Sequence, residues 1–76
     1  MDTNLNLPVS SGDEKIVFLR LPEVMRRVGL SRSEIYRKAN AGEFPSPVKL
    51  SDHASAWVEG EVQAWALSRL SAREAS

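Results

Sequence analysis

The sequence predicts a mainly α-helical domain with one small β-hairpin, in the order strand, helix, turn, helix, hairpin, helix. Three observations carry this prediction. A stripe of apolar residues with helical spacing ends at Gly29, and a helix-capping residue follows at Ser31. After Pro45 and Pro47, apolar and polar residues alternate as they do in a strand. Because the chain has 76 residues, we expect one domain with a small core.

The domain is expected to cover residues 15–70. Residues 1–14 are polar and have no periodicity, which predicts a disordered N-terminal tail, and residues 71–76 are expected to fray. A short apolar run from Ile16 to Leu19 favours a strand at the start of the domain.

The first helix is predicted to begin near Pro22, whose missing N–H costs nothing in a first helical turn. Its apolar face follows the spacing i, i+3, i+4, i+7. The residues on that face are Leu21, Val24, Met25 and Val28. Gly29 is expected to end this helix as a left-handed C-cap.

The second helix is predicted to begin after Ser31, which forms a capping box with Glu34 three residues later. It should reach about Ala41 and end at Gly42, with Ile35 facing the core. Two helices joined by a short turn that contains glycine make a helix-turn-helix.

The region after the second helix predicts a hairpin and a third helix. Pro45 and Pro47 exclude a helix there, and we expect Phe44 to fold back on the helix pair. Residues 48–50 and 54–58 form the two strands of a wing, with a turn at 51–53. The last helix starts near Glu59, and one face is apolar. That face comprises Val62, Trp65, Ala66 and Leu70. We interpret Trp57 and Trp65 as packing residues and not as base-stacking residues.

Charge is unevenly distributed although the whole chain is neutral. Residues 20–49 contain seven basic and three acidic side chains, a net charge of +4, and the rest of the chain carries −4. A phosphate backbone responds to the local field, so this asymmetry fits one face turned towards DNA. Chance clustering on a solvated surface is the alternative interpretation.

The second helix also has the composition of a helix that enters a DNA groove. Its first turns carry hydroxyl and basic side chains. The wing adds the ammonium of Lys49 and the imidazole of His53. We expect eight residues to contact DNA: Ser31, Arg32, Ser33, Tyr36, Arg37, Lys38, Lys49 and His53.

These segments resemble the AlpA family of phage and prophage regulators, small winged helix-turn-helix proteins akin to excisionases and to the DNA-binding heads of MerR-type regulators. The resemblance covers roughly residues 16–70. The matching segments are Arg20-Leu21-Pro22-Glu23-Val24, Gly29 to Arg37, Gly42-Glu43-Phe44-Pro45, Pro47 to Leu50, Ala56-Trp57 and Glu61 to Trp65. Two parts of the sequence depart from the family pattern. The wing tip has Asp52 and His53 where the family usually has arginine, and Glu34 replaces a common threonine.

Each expected contact has a simpler alternative. Arg32 and Arg37 could each make two hydrogen bonds to a guanine base, or they could contact only backbone phosphates. Ser31 and Ser33 could meet phosphate, although capping alone explains Ser31. The hydroxyl of Tyr36 could reach a phosphate, or its ring could pack on Phe44.

The wing and the end of the second helix offer weaker candidates. Lys38 and Lys49 fit phosphate contacts, with solvated lysine as the alternative. Asp52 would repel phosphate, whereas a protonated His53 would attract it. Arg26 and Arg27 lie on the first helix, which crosses the DNA backbone in such motifs.

Several functional classes have no support in the sequence. There is no cysteine, so neither a disulfide framework nor a zinc finger is expected, and His53 has no partner for a metal site. No catalytic set or phosphate-binding glycine loop is visible, so we expect no enzyme, cofactor or small-molecule substrate. No membrane span or secretory signal is visible either, and we expect a cytoplasmic protein.

Two functions remain from different classes. One is a sequence-specific transcriptional regulator that binds double-stranded DNA; the resemblance implies control of prophage integrase expression or excision. The other is a protein-interaction module or recombination directionality factor that contacts an integrase or a packaging subunit. We expect self-association only on DNA.

Overall fold

The computed structural model describes residues 15–75; the tail expected at residues 1–14 and residue 76 lie outside that range. The elements in chain order are β1 (Phe18–Leu19), α1 (Leu21–Val28), α2 (Arg32–Asn40), β2 (Val48–Ser51), β3 (Ala54–Val58) and α3 (Glu59–Ala75). Three helices with a hairpin as the wing confirm the predicted winged helix-turn-helix.

The hairpin belongs to a three-stranded antiparallel sheet with the order β1-β3-β2. β1 pairs with β3 through Phe18 opposite Val58 and Leu19 opposite Trp57. The backbone N–H of Glu59 donates to the carbonyl of Val17 at 2.8 Å, which ties the start of α3 to the segment before β1. The predicted first strand is thus shorter than its apolar run, and its pairing with the wing was not predicted.

The predicted helix ends at the turn between α1 and α2 are confirmed. Gly29 has φ of 73°, and its N–H donates to the carbonyl of Met25 at 2.9 Å. The hydroxyl of Ser31 accepts from the N–H of Glu34 at 3.2 Å. In return, a carboxylate oxygen of Glu34 accepts from the N–H of Ser31 at 3.1 Å. These local bonds fix the direction in which α2 leaves the turn.

Both tryptophans hold the loop between α2 and β2. The indole N–H of Trp57 donates to the carbonyl of Pro45 at 2.9 Å, and that of Trp65 donates to the carbonyl of Glu43 at 2.8 Å. Phe44 is buried as predicted, and its ring meets Trp65 edge-on at a centroid distance of 4.9 Å. The loop that follows α2 is therefore anchored to both β3 and α3.

Every element except β2 contributes one buried side chain to the core, and the loop after α2 contributes another. Its buried members are Leu19, Val24, Ile35, Phe44, Trp57 and Val62. Trp57 is completely buried, which confirms its packing role, whereas Trp65 is half-buried at the edge of the core. The domain thus rests on a small set of apolar contacts around Trp57.

The third helix is longer than predicted. It continues to Ala75, past the expected domain end at residue 70. Leu70 is 47% exposed and Leu67 is 53% exposed, so Leu70, which was expected on the apolar face with Val62 and Trp65, is not covered by the core. The core residues of α3 end at Trp65, and the second half of the helix has no core to cover it.

Candidate nucleic-acid interface

One side of α2 faces away from the core. Successive residues of a helix are rotated by about 100°, and Ile35 and Ala39 take the buried side. Ser33, Arg37 and Asn40 therefore occupy the opposite side, and all three are exposed. This outer face offers a hydroxyl, a guanidinium and a carboxamide to a ligand.

The flank of α2 nearest the hairpin carries Arg32 and Tyr36. The Tyr36 ring is half-buried and meets Trp57 edge-on, with ring centroids 5.8 Å apart. The guanidinium carbon of Arg32 lies 5.9 Å from the Tyr36 ring centroid, within reach of a cation–π contact. The expected alternative of Tyr36 packing on Phe44 is replaced by this contact with Trp57.

Lys38 lies on the opposite flank of α2, apart from the other predicted residues. Two helical positions separate it from Tyr36, a rotation of about 200°. Its ammonium is 3.9 Å from a carboxylate oxygen of Glu43. It shares a hollow with Trp65 and Arg69, on the side of α3.

Lys49 and His53 lie on the hairpin. Lys49 is opposite Ser55 in the strand pairing, so the two side chains share one face of the sheet. The ammonium of Lys49 donates to the backbone carbonyl of Asp52 at 3.2 Å, across the turn that carries His53. His53 is exposed and lines a cleft with Arg32. The structure therefore brings His53 next to the start of α2, while Lys49 is bonded across the turn that carries it.

The hydroxyl of Ser31 is already engaged in the helix cap. It accepts from the N–H of Glu34 and also lies 3.2 Å from the carboxylate of that residue. The hydrogen bond from the backbone N–H of Ser31, followed by that from its hydroxyl, holds the pKa of Glu34 below its usual value. Capping thus accounts for Ser31, whereas Ser33 is exposed one residue beyond Arg32.

The basic residues divide into paired and unpaired groups. Arg26 and Arg27 both bond Glu23, and Arg27 also bonds Glu59 at 2.9 Å. The side-chain hydrogen bonds from Arg26, and next from Arg27, lower the pKa of Glu23. These contacts neutralise much of the positive charge on α1.

Three arginines near α2 and the hairpin remain without such a partner. Within residues 15–75, no carboxylate lies within salt-bridge distance of Arg20, Arg32 or Arg37. These three arginines therefore place unpaired positive charge on the exposed side of α2 and in the cleft beside it.

Two residues of this surface were not among the eight predicted. Arg20, the N-cap of α1, lines the cleft with Arg32 and His53. Its charge was counted in the basic segment, but its position depends on how β1 and α1 pack. Asn40 lies on the outer face of α2, a placement that the helical spacing from Ile35 and Ala39 would have shown.

The region that the structure describes contains no group of three His, Cys, Asp or Glu side chains that could hold a metal ion. None of its helices is both long and apolar enough to cross a bilayer.

A family model described as the prophage CP4-57 regulatory protein, AlpA, matches residues 17–70 of this chain. The chain belongs to the AlpA family. The matched segment contains β1, both helices of the helix-turn-helix, the wing and the first two thirds of α3, and it confirms the resemblance drawn from the sequence. AlpA is a regulatory family, so the protein is a member of a family of phage regulators.

This AlpA-family protein is also similar to a protein of Enterobacteria phage P4 described as uncharacterized protein ORF88. The two are 49% identical over 57 residues, which cover 75% of this chain and 65% of the phage protein. The present chain therefore spans about two thirds of the length of that relative.

Proposed function

We propose that this AlpA-family protein is a sequence-specific transcriptional regulator that binds double-stranded DNA. The observation that carries the proposal is the concentration of unpaired arginines around the exposed side of α2, while the arginines of α1 are held by carboxylates. Phosphate-rich ligands bind to such a surface because free guanidinium groups replace condensed counterions.

The outer face of α2 supplies the groups that read base edges. Arg37 fits a guanine and Asn40 fits an adenine, since each side chain can make two hydrogen bonds to one base in the major groove. Ser33 adds a hydroxyl that can contact a base or a phosphate. α2 is thus the recognition helix, and the hairpin lies beside it as the wing.

The AlpA family and the phage relative support a role in mobile-element control. We assign the protein to regulation of prophage integrase expression or of excision, in the bacterial cytoplasm where that DNA lies. The description of the family as prophage regulatory and the relative in phage P4 support a partner from a mobile element, and the resemblance to excisionases makes an integrase gene or its product the first one to examine.

The test begins with selection of bound sites from a random duplex library, followed by affinity measurements on the selected site and on random DNA. We expect Arg37→Ala and Asn40→Ala to weaken binding to the selected site by about 1–3 kcal/mol and to relax preference at one base pair each. Arg69→Ala is the matched control, because Arg69 lies on α3 beside Trp65, away from the outer face of α2.

Two outcomes would contradict this proposal. Absence of any mobility shift on duplex DNA at low salt would remove DNA binding altogether. Equal losses on selected and random DNA for both Arg37→Ala and Asn40→Ala would remove their base-reading role.

A protein-interaction module is the second candidate function. The observation that favours it is the pair of exposed leucines, Leu67 and Leu70, on the half of α3 that extends beyond the core. Such a surface fits an integrase or packaging subunit, and both functions can coexist in one recombination directionality factor. If duplex binding is absent at low salt, this second function replaces the first.

A further inference from the structure

A cleft with a volume of about 380 Å³ separates the start of α2 from the hairpin. Residues with polar side chains from three parts of the chain line it: Arg20, Arg32, Tyr36, His53 and Ser55. Trp57 and Met25 contribute apolar lining. The cleft lies beside the outer face of α2 that carries Arg37 and does not include it.

We infer that this cleft binds one backbone phosphate of DNA, with Arg20 and Arg32 as its two guanidinium ligands. The inference rests on the proposed function and adds to it a DNA contact that is separate from base reading. Arg37 and its neighbours on the outer face choose the sequence, and the cleft fixes the position of the duplex without regard to sequence.

The charge around the cleft fits a phosphodiester. None of the residues that line it is acidic. The nearby carboxylate of Glu23 is held by Arg26 and Arg27, and that of Glu34 is held by the Ser31 cap. Two arginines thus line one small space together, and an anion bound there would relieve the repulsion between their charges.

The groups of the cleft are also held in position before a ligand arrives. The carbonyl of Arg20 accepts from the N–H groups of Glu23 and Val24 at 3.0 and 3.1 Å, so its backbone is fixed to α1. Arg32 lies over the ring of Tyr36, which is in turn fixed against Trp57. Ordering the backbone of Arg20 and the side chain of Arg32 before binding lowers the entropy cost of the contact.

The hairpin supplies further hydrogen-bond donors to the cleft through His53 and Ser55. An imidazole N–H of His53 and the hydroxyl of Ser55 can donate to phosphate oxygens. Lys49, opposite Ser55 in the sheet, bonds the carbonyl of Asp52 and so braces the turn that carries His53. His53 of the wing tip, where the family's usual arginine is absent, therefore acts together with Arg20 and not alone.

The test measures binding to a random-sequence duplex by fluorescence anisotropy over a range of salt concentrations. The variants are Arg20→Gln, Arg32→Gln and the two combined, with Arg69→Gln as the matched control for loss of one charge. Thermal unfolding of each variant establishes that it is folded at the assay temperature.

We expect each single variant to bind random DNA more weakly than the parent protein, while Arg69→Gln leaves binding unchanged. Because both guanidiniums share one phosphate, the double variant should reduce the slope of log K against log salt by about one. A reduction of about two would place the arginines on two different phosphates and overturn the shared cleft.

Further outcomes separate the two proposals. If Arg20→Gln keeps the parent affinity and salt slope while Arg37→Ala loses site preference, the cleft inference fails and the proposed function stands. If the parent protein does not bind duplex DNA at low salt, both fail.

A competition experiment distinguishes a phosphate of the DNA backbone from a free phosphate ion as the ligand of the cleft. Inorganic phosphate is added to the complex at constant ionic strength, with chloride as the reference salt. We expect phosphate to displace DNA no better than chloride does. Stronger displacement by phosphate that disappears in the double variant would assign the cleft to free phosphate and overturn the inference.

Discussion

At the scale of single residues, the two tryptophans have different surroundings although both anchor the same loop. Trp57 is completely buried, whereas Trp65 is half-buried and hydrogen-bonded at the edge of the core. We expect Trp57→Ala to lower the free energy of unfolding by about 3–5 kcal/mol, nearly the whole stability of a small domain. Trp65→Ala should lower it less, because the lost side chain is partly solvated.

Urea unfolding followed by circular dichroism measures both changes. A stable Trp57→Ala variant would contradict the central place of this side chain in the core. A fully folded Trp65→Ala variant that has lost only DNA binding would show that Trp65 contacts DNA and does not merely pack.

Also at the residue scale, the capping carboxylate of Glu34 predicts a pH dependence. Its pKa is lowered in the fold by the N–H and hydroxyl of Ser31, below an unfolded value of about 4.3. The cap therefore contributes stability that is present above the unfolded pKa and is lost as the pH falls through the folded pKa. Glu23 adds a change of the same sign through Arg26 and Arg27.

We expect the unfolding temperature to fall as the pH is lowered from about 5 to about 3. Glu34→Gln should show a smaller fall, because glutamine keeps the accepting oxygen of the capping box but does not titrate in this range. The same decline in Glu34→Gln and in the parent protein would assign the whole effect to other carboxylates, Glu23 among them.

At the scale of elements, glycines with different backbone conformations should respond oppositely to the same substitution. Gly29 has φ of +73° at the end of α1, whereas Gly60 lies inside the first turn of α3, and an added Cβ would meet nothing within 4 Å at either site. Gly29→Ala should therefore lower stability by about 1 kcal/mol through backbone strain alone. Gly60→Ala should raise it by about 0.5 kcal/mol, since alanine restricts the unfolded chain.

Thermal or urea unfolding of this matched pair measures both effects. Two losses of similar size would mean that Gly60 has a structural role which its open surroundings do not reveal. Stabilisation by Gly29→Ala would contradict the left-handed conformation at the turn that positions α2.

At the scale of the whole molecule, the proposed interface is small. A single module of this kind buries about 600–1,000 Å² on DNA, and one α2 supplies only a few base contacts. Two modules bound to neighbouring sites have a much higher ratio of affinity for the specific site to affinity for random DNA. The exposed Leu67 and Leu70 on α3 form too small a patch for a stable dimer in free solution, which needs about 800 Å² from each partner.

We therefore expect a monomer in the absence of DNA and cooperative occupancy of two or more adjacent sites. Sedimentation measures the oligomeric state without DNA. Footprinting over a range of protein concentrations measures the spacing of the occupied sites and how steeply their occupancy rises with concentration. One short protected site, filled by one protein with high affinity, would contradict this expectation.

The sequence by itself determined the local features of this protein. The left-handed Gly29, the capping box of Ser31 with Glu34, and the break at Pro45 and Pro47 depend on residues within a few positions of one another. The order of elements and the AlpA resemblance follow from these local patterns, and the position of α2 as the exposed basic helix follows from its spacing.

Only the tertiary structure decided which distant residues meet. It paired β1 with the wing, replaced the expected Tyr36–Phe44 contact with Tyr36–Trp57, and brought Arg20 beside Arg32 and His53. It also left Leu70 exposed, because periodicity shows which face of a helix is apolar but not where the core beneath it ends. Such contacts depend on how elements pack across the chain, and no local spacing in one sequence encodes them.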